Sequence, residues 1–199
     1  MAWLETVSPM PIRFIAMLAA ALLALPARAA PDPATAAAGV YRLDPARSTL
    51  TARASLFGGL YRYPLTFRGL NGRLDHDPAH LAGSPVAITV DPRTVEAPDK
   101  AGARAALALF EPERFPTIDF RSRSYRPGPD GRGVLSGDLT LHGVVRPLVL
   151  DVTLRSVEGG RLSFSGRGKV RRSQHGMTSG RLVTGDVIDL SFDVEFVRK

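Results

Sequence analysis

"GDLTLHGVVRPLVLDV", residues 137–152, is the stretch whose reading decides the fold. It holds a histidine, an arginine and two aspartates around a Gly and a Pro. It could be a polar catalytic loop, or two strands and the turn between them. The apolar residues favour strands. Leu139 and Leu141 alternate with Asp138 and Thr140, and Leu148, Leu150 and Val152 alternate with Asp151. Side chains on a strand point to opposite faces in turn, so each arm has one apolar and one polar face. If both sets of leucines share an inner face, opposed residue numbers sum to an odd number, and without a bulge the loop holds an even number of residues. A two-residue Val144-Val145 turn would force positive φ on β-branched side chains. The expected loop is therefore residues 144–147, with Gly143 opposite Leu148 and Pro147 outside the ladder, where its missing N–H does no harm. His142 and Arg146 then cease to be a catalytic pair and become polar residues at a hairpin end.

The same period runs outward from this hairpin. Leu50, Ala52, Ala54 and Leu56 alternate with polar neighbours, as do Tyr63, Leu65 and Phe67, then Val86, Ile88 and Val90. Ile118 and Phe120, Leu162 and Phe164, and Ile188, Leu190, Phe192, Val194 and Phe196 continue it. That predicts about eight half-buried strands plus a short extended start at residues 41–43. Turn chemistry at Asn71-Gly72, Asp130-Gly131, Gly159-Gly160, Gly180 and Gly185 separates them. Residues 99–110 differ: they are alanine-rich, with Asp99 as N-cap and Pro112 as the stop, and predict one short helix. Little else lies between the strands, so they are expected to be antiparallel neighbours. Closure removes edge strands, which favours an all-β, closed antiparallel barrel of about eight strands.

Alternation alone does not say which face points inward, since an outer-membrane barrel turns its apolar face to lipid. Four features argue for an apolar interior. Tyrosines are few and the only tryptophan, Trp3, precedes the domain, so aromatic girdles are missing. The chain ends in Arg198-Lys199. The apolar faces carry gaps at Gly69, Gly137, Gly166 and Gly168, and a helical segment would be unusual among short turns.

Arg13, the apolar run 14–25 and Ala27-Arg28-Ala29 follow the order of a secretory signal peptide, which predicts residues 1–29 as a leader and a periplasmic location. Residues 30–39 are Pro/Ala-rich and read as a disordered lead-in, which leaves 40–199 as the folded domain. The chain has no cysteine, which excludes disulfides, thiol chemistry and cysteine metal sites. Its formal charge is +7; without residues 1–29 it loses Arg13, Arg28 and Glu5 and carries +6. A basic exported protein can make transient contact with anionic membrane surfaces. The arginines are scattered, and no nucleic-acid module is evident.

Five stretches in this order resemble the YceI-like family of exported, lipocalin-like polyisoprenoid-binding proteins. They are Tyr41-Arg42-Leu43-Asp44, Phe67-Arg68-Gly69-Leu70-Asn71-Gly72, residues 110–122, the opening hairpin, and Arg172-Ser173-Gln174-His175-Gly176-Met177. The sequence departs from the family where histidines often stand in and after the first long strand; Arg47-Ser48 and residues 55–59 take their place. The resemblance implies a barrel with a long apolar ligand inside, an isoprenoid lipid or quinone, and a binding or carrier role with no catalytic residue.

On this reading the cavity is lined by Leu50, Leu56, Tyr63, Leu65, Phe67, Ile88, Ile118, Phe120, Leu139, Leu150, Phe164, Leu190 and Phe192. Phe57, Leu60, Leu107, Phe110 and Phe115 are candidates for its rim or for ordinary packing of the helix on the barrel end. Small inner residues (Ala52, Ala54, Gly69, Ser122, Gly137, Gly166, Gly168) either leave room for a ligand or fit the barrel's taper. Arg171, Arg172 and Arg181, with His175 nearby, could clamp a phosphate-bearing head group. His76 and His80 lie beside Asp75 and Asp77, but Pro78 forbids a regular helix there, so a solvated turn is expected and no metal site. No nucleophile elbow, P-loop or dinucleotide fingerprint is present. Two alternatives to a carrier remain: an enzyme acting on a small amphipathic molecule, signalled by ionisable groups converging inside, and a filled barrel serving as a stress-related interaction module.

Overall fold

Eleven strands form one antiparallel sheet in the computed structural model, which describes residues 30–179 and 184–199. They are β1 (Gly39–Leu43), β2 (Thr49–Leu56), β3 (Tyr61–Phe67), β4 (Leu70–His76), β5 (Val86–Val90), β6 (Val95–Glu96), β7 (Ile118–Pro127), β8 (Arg132–Leu141), β9 (Val144–Glu158), β10 (Arg161–Arg171) and β11 (Thr184–Arg198). Eight of them, in the order β1-β4-β5-β7-β8-β9-β10-β11, close into a barrel because β1 also pairs with β11, Leu43 opposite Phe196 and Tyr41 opposite Arg198. β11 is long enough to serve two partners on one edge. Its C-terminal end holds β1, and the stretch from Thr184 to Asp193 holds β2. β3 and β4 likewise lie end to end, against β2 and β1. β3 does not reach β5; it pairs instead with the short β6.

That gap in the ladder is where the helix sits. α1 spans Lys100–Phe110 and is capped by Asp99, whose carboxylate accepts from the Gly102 N–H at 2.8 Å. Its N-terminus is tied to β3, because the Tyr63 hydroxyl donates to Asp99 Oδ2 at 2.9 Å. The approach is close: a Cβ on Gly102 would lie 1.7 Å from that hydroxyl. The Phe110 ring then meets Phe67 edge to face at 5.6 Å, a pairing worth about 1 kcal/mol beyond area burial.

The apolar faces point inward, as the alternation requires. Phe67, Leu139, Leu148, Leu150, Val152, Leu154, Leu162 and Phe196 are all buried. The outer face carries charge, with Arg62 paired to Asp189, Arg123 to Asp138 and Arg167 to Asp151.

Four details differ from the sequence reading. The opening hairpin turns at His142-Gly143, with φ of 51° and 73°, and pairs Leu141 with Val144. Gly137, not Gly143, therefore faces Leu148. Opposed numbers still sum to an odd number, so the face argument holds and the placement of the loop does not. The reason is local: histidine and glycine accept the left-handed conformation that a two-residue hairpin turn needs, and valine does not. Pro147 lies inside β9 opposite Asp138, and is tolerated because the β9–β10 pairing ends at Leu150–Gly168.

Second, Asn71-Gly72 is not a turn but the middle of β4, where Leu70, Gly72, Leu74 and His76 alternate as buried residues. Gly72 is small because a Cβ there would lie 2.6 Å from Ile88 Cδ1. Third, His76 ends that strand buried rather than in a solvated turn. Fourth, the stretch 30–39 is not wholly a disordered lead-in. Asp32 caps a short 3-10 helix, Pro33–Thr35, and Ala36 is buried. The Tyr41 hydroxyl donates to the Ala37 carbonyl at 2.7 Å, and His76 donates to the Pro33 carbonyl at 3.0 Å. The leader 1–29 and the Gly180 turn lie outside the described residues.

Candidate functional site

The barrel encloses a cavity of about 890 Å³. All thirteen residues expected to line it are in its wall, contributed by β2, β3, β5, β7, β8, β9, β10 and β11. The inner glycines do not create this space. A Cβ on Gly137 would meet the Phe120 ring at 2.7 Å, one on Gly166 the Phe192 ring at 2.3 Å, and one on Gly168 Leu150 Cδ2 at 2.5 Å. Large side chains therefore lie flat across the bare backbone and pave the wall. Two other small residues do not face the cavity as gaps. A Cβ on Gly69 would strike Thr94 at 2.5 Å, and the Ser122 hydroxyl accepts from the Val86 N–H at 2.7 Å.

Room comes instead from alanines. Ala52 and Ala54 on β2 and Ala105, Ala106 and Ala108 of α1 are among the lining residues. The helix contribution was readable in part: Gly102, Ala105, Ala106, Leu109 and Phe110 recur at helical spacing and share one face. Of the rim candidates, Phe110 lines the cavity, whereas Leu107 packs on the core outside it. Phe115 covers the hairpin turn, its ring 4.1 Å from that of His142. Phe57 and Leu60 stand exposed on the β2–β3 loop, with Gly58 and Gly59 between them.

The polar lining residues gather toward the two ends of the barrel. At the helix end, Glu111 closes α1 in the left-handed conformation (φ 46°) and reaches the turn between β8 and β9. Its Oε1 accepts from His142 Nε2 at 3.0 Å and its Oε2 from Arg114 at 2.9 Å. The Arg114 bond, then the His142 bond, hold the Glu111 carboxyl below its ordinary pKa. Asp99 is held low as well, first by the Gly102 N–H and then by the Tyr63 hydroxyl. α1 thus crosses one end of the barrel, fastened to β3 at its start and to the β8–β9 turn at its finish.

At the opposite end His76 lines the cavity beside Pro33 and Ser84. Its ring stands edge-on to Tyr41 at 5.9 Å, and burial pushes its pKa down. His80 is exposed and bonds to Asp77 at 3.0 Å, so the two histidines of residues 75–80 serve different surroundings and do not converge.

Of the arginines that could clamp a head group, Arg171 and Arg172 are engaged with the protein itself. The Arg172 side chain is buried and donates to the carbonyls of Met177 (2.9 Å), Ser179 (2.6 Å), Thr184 (3.0 Å) and Gly185 (3.1 Å). Four carbonyls fill its fork, which makes it the anchor of the segment joining β10 to β11. Arg171 is exposed and pairs with Asp186 at 3.8 Å. Arg181 lies outside the described residues. His175 is buried, bonded to the Val144 carbonyl at 3.0 Å, and burial lowers its pKa.

The match to known proteins covers most of this architecture. Among solved structures, Burkholderia cenocepacia BcnA superposes with a TM-score of 0.70 at 20% identity, over 77% of this chain and 98% of its own. A polyisoprenoid binding domain from Saccharophagus degradans, implicated in plant cell wall breakdown, gives 0.66 at 14% identity, over 82% and 100%. The Campylobacter jejuni YCEI protein gives 0.61 at 23%, over 68% and 84%. In sequence, UPF0312 proteins of Vibrio cholerae are 24% identical over 140 residues, covering 67% of this chain and 73% of their own length. One from Pseudomonas putida is 26% identical over 143 residues, with the same coverage. The model of the YceI-like domain matches residues 41–196, from the strand that closes the barrel to the strand that receives it, and the chain belongs to that family.

Proposed function

We propose that the protein is a binding or carrier protein that holds one long apolar ligand, an isoprenoid-like lipid or quinone, along the axis of its barrel. The observation that carries this is the cavity of about 890 Å³ with an aliphatic and aromatic middle. Burying an apolar chain there gains about 25 cal/mol for each Å² removed from water, so affinity needs few polar contacts. The polyisoprenoid-binding description of the Saccharophagus neighbour supports the same ligand class. The leader-like residues 1–29 support a periplasmic site of action. The exposed Phe57, Leu60 and Tyr61 beside the helix end suit brief contact with a membrane surface during exchange.

Mass spectrometry of organic extracts from protein purified without detergent tests this. A bound polyprenol or prenyl quinone is expected, or uptake of one from solution; a clean extract together with no uptake refutes it. The His142–Glu111 pair favours a second reading, an enzyme acting on an amphipathic molecule, because two ionisable groups meet in the wall. Recovering the added lipid chemically unchanged after prolonged incubation separates the carrier from the enzyme.

A further inference from the structure

We infer that His142 is the head-group receptor of the cavity and that it selects ligands ending in a hydroxyl. The inference rests on the carrier reading and adds the polar end of the ligand to it. The chemistry follows from which nitrogen holds the proton. Glu111 is an ionised carboxylate that also takes a bond from Arg114, so it can only accept. His142 Nε2 must therefore donate to it, and in the neutral ring this makes Nδ1 the acceptor.

Nδ1 has no hydrogen-bond partner among the described residues, yet it is not a sealed-off atom. It lies close to Gly176, and both residues line the cavity. A Cβ at Gly176 would stand 3.9 Å from Nδ1, and the glycine leaves that position bare. The ring itself is fixed on two sides, by the bond to Glu111 at 3.0 Å and by the Phe115 ring at 4.1 Å. An oriented, unused acceptor at the end of an apolar cavity is complementary to an O–H donor on the end of an apolar chain.

The neighbouring charges select against other heads. Glu111 is a carboxylate bonded to the same ring, and the Arg172 fork is filled by backbone carbonyls. A phosphate or carboxylate head at Nδ1 would meet the like charge of Glu111 on the same ring. A quinone or ester carbonyl has no proton to give to Nδ1. The class of ligand is therefore a long-chain isoprenoid alcohol.

The experiment compares farnesol, farnesyl methyl ether and farnesyl phosphate on the purified protein by displacement of a fluorescent apolar probe. One hydrogen bond predicts that the alcohol binds about three- to tenfold more tightly than the ether. In His142→Gly, which keeps a residue suited to positive φ at the turn, the alcohol-to-ether preference should fall to about unity, and the ratio, not either absolute affinity, is the readout. Glu111→Gln, which frees the imidazole tautomer, should reduce the preference while keeping the αL cap. Equal binding of alcohol and ether by the wild type, a preference for the phosphate, or an alcohol preference that survives His142→Gly would each overturn the head-group inference and leave the carrier reading standing. Failure of every farnesyl compound to bind would overturn both.

Discussion

Arg172 offers the sharpest test of whether this segment is a ligand clamp or a piece of the frame. In Arg172→Met the aliphatic stem is kept and the fork is lost. Four carbonyls, those of Met177, Ser179, Thr184 and Gly185, lose their charged donor together. Hydrogen bonds to charged groups are worth about 1.5–3 kcal/mol each, but four that share one guanidinium are not additive. Ser179 is exposed, so water can replace that bond. Removing one partner of a buried charged cluster costs about 3–5 kcal/mol, and that is the expected loss here. For a domain of this size each kcal/mol moves Tm by about 2–4 °C, which puts the fall at roughly 6–20 °C. Urea unfolding at constant m-value, with thermal melts in parallel, measures it. Arg172→Lys should recover less than half, because an ammonium is a point charge and cannot span four acceptors. A loss below about 1 kcal/mol, accompanied by weaker binding of an anionic lipid, would refute the structural assignment and restore Arg172 as a head-group residue.

Three further outcomes are expected. His76 and His175 are both pushed below the ordinary 6.5 by burial, so the unfolded chain takes up protons first as the pH drops. Their stabilising share is complete above that value and is lost as pH falls below it toward the folded values; the decline in Tm from pH 7 to pH 5 should be shallower in His76→Phe, and an identical slope would speak against the buried neutral ring. Gly137→Ala places a methyl 2.3 Å from the Arg121 carbonyl oxygen and should cost about 1–3 kcal/mol by denaturant titration, while Gly83→Ala, with nothing within 4 Å, should stay within about 0.5 kcal/mol. Ala52→Phe fills space the ligand would occupy, and is expected to weaken lipid uptake about tenfold with the circular dichroism spectrum unchanged.

The barrel was legible because its signal is repeated. Each strand states its inner face twice or more, and thirteen inner residues read from period two all reach the cavity wall. What misled was chemistry with two local meanings. Asn71-Gly72 has the composition of a turn, yet the tertiary pairing of β4 with β1 and β5 overrides it. The alternation Leu70, Gly72, Leu74, His76 was the competing signal, and it also held the key to His76. An inner glycine reads either as room for a ligand or as a fit to the taper, and here the missing Cβ lets a neighbouring ring lie down. Which occurs depends on the residue across the strand, and the register that places Phe192 opposite Gly166 is not fixed by period alone. Arg172 was invisible for a similar reason. Its partners are backbone carbonyls, and backbone carries no sequence signature.

These errors and the site share one physical pattern. The ring from β4 through β11 is continuous ladder, and opening it anywhere would break a row of backbone bonds whose unpaired groups would then need water. Among the described residues, it is between β3 and β5 that there is no ladder to break, and α1 lies there with an alanine-rich face. α1 is held by Leu107, Leu109 and Phe110 packed on the core and by two polar ties, Tyr63 to Asp99 and His142 to Glu111. Single bonds of this kind contribute about 1 kcal/mol each, far less than a row of ladder bonds. Ligand passage is therefore least costly past α1. The same His142 that fastens the helix lines the cavity, so a ligand that engages it does so at an edge of the barrel where no ladder holds the wall.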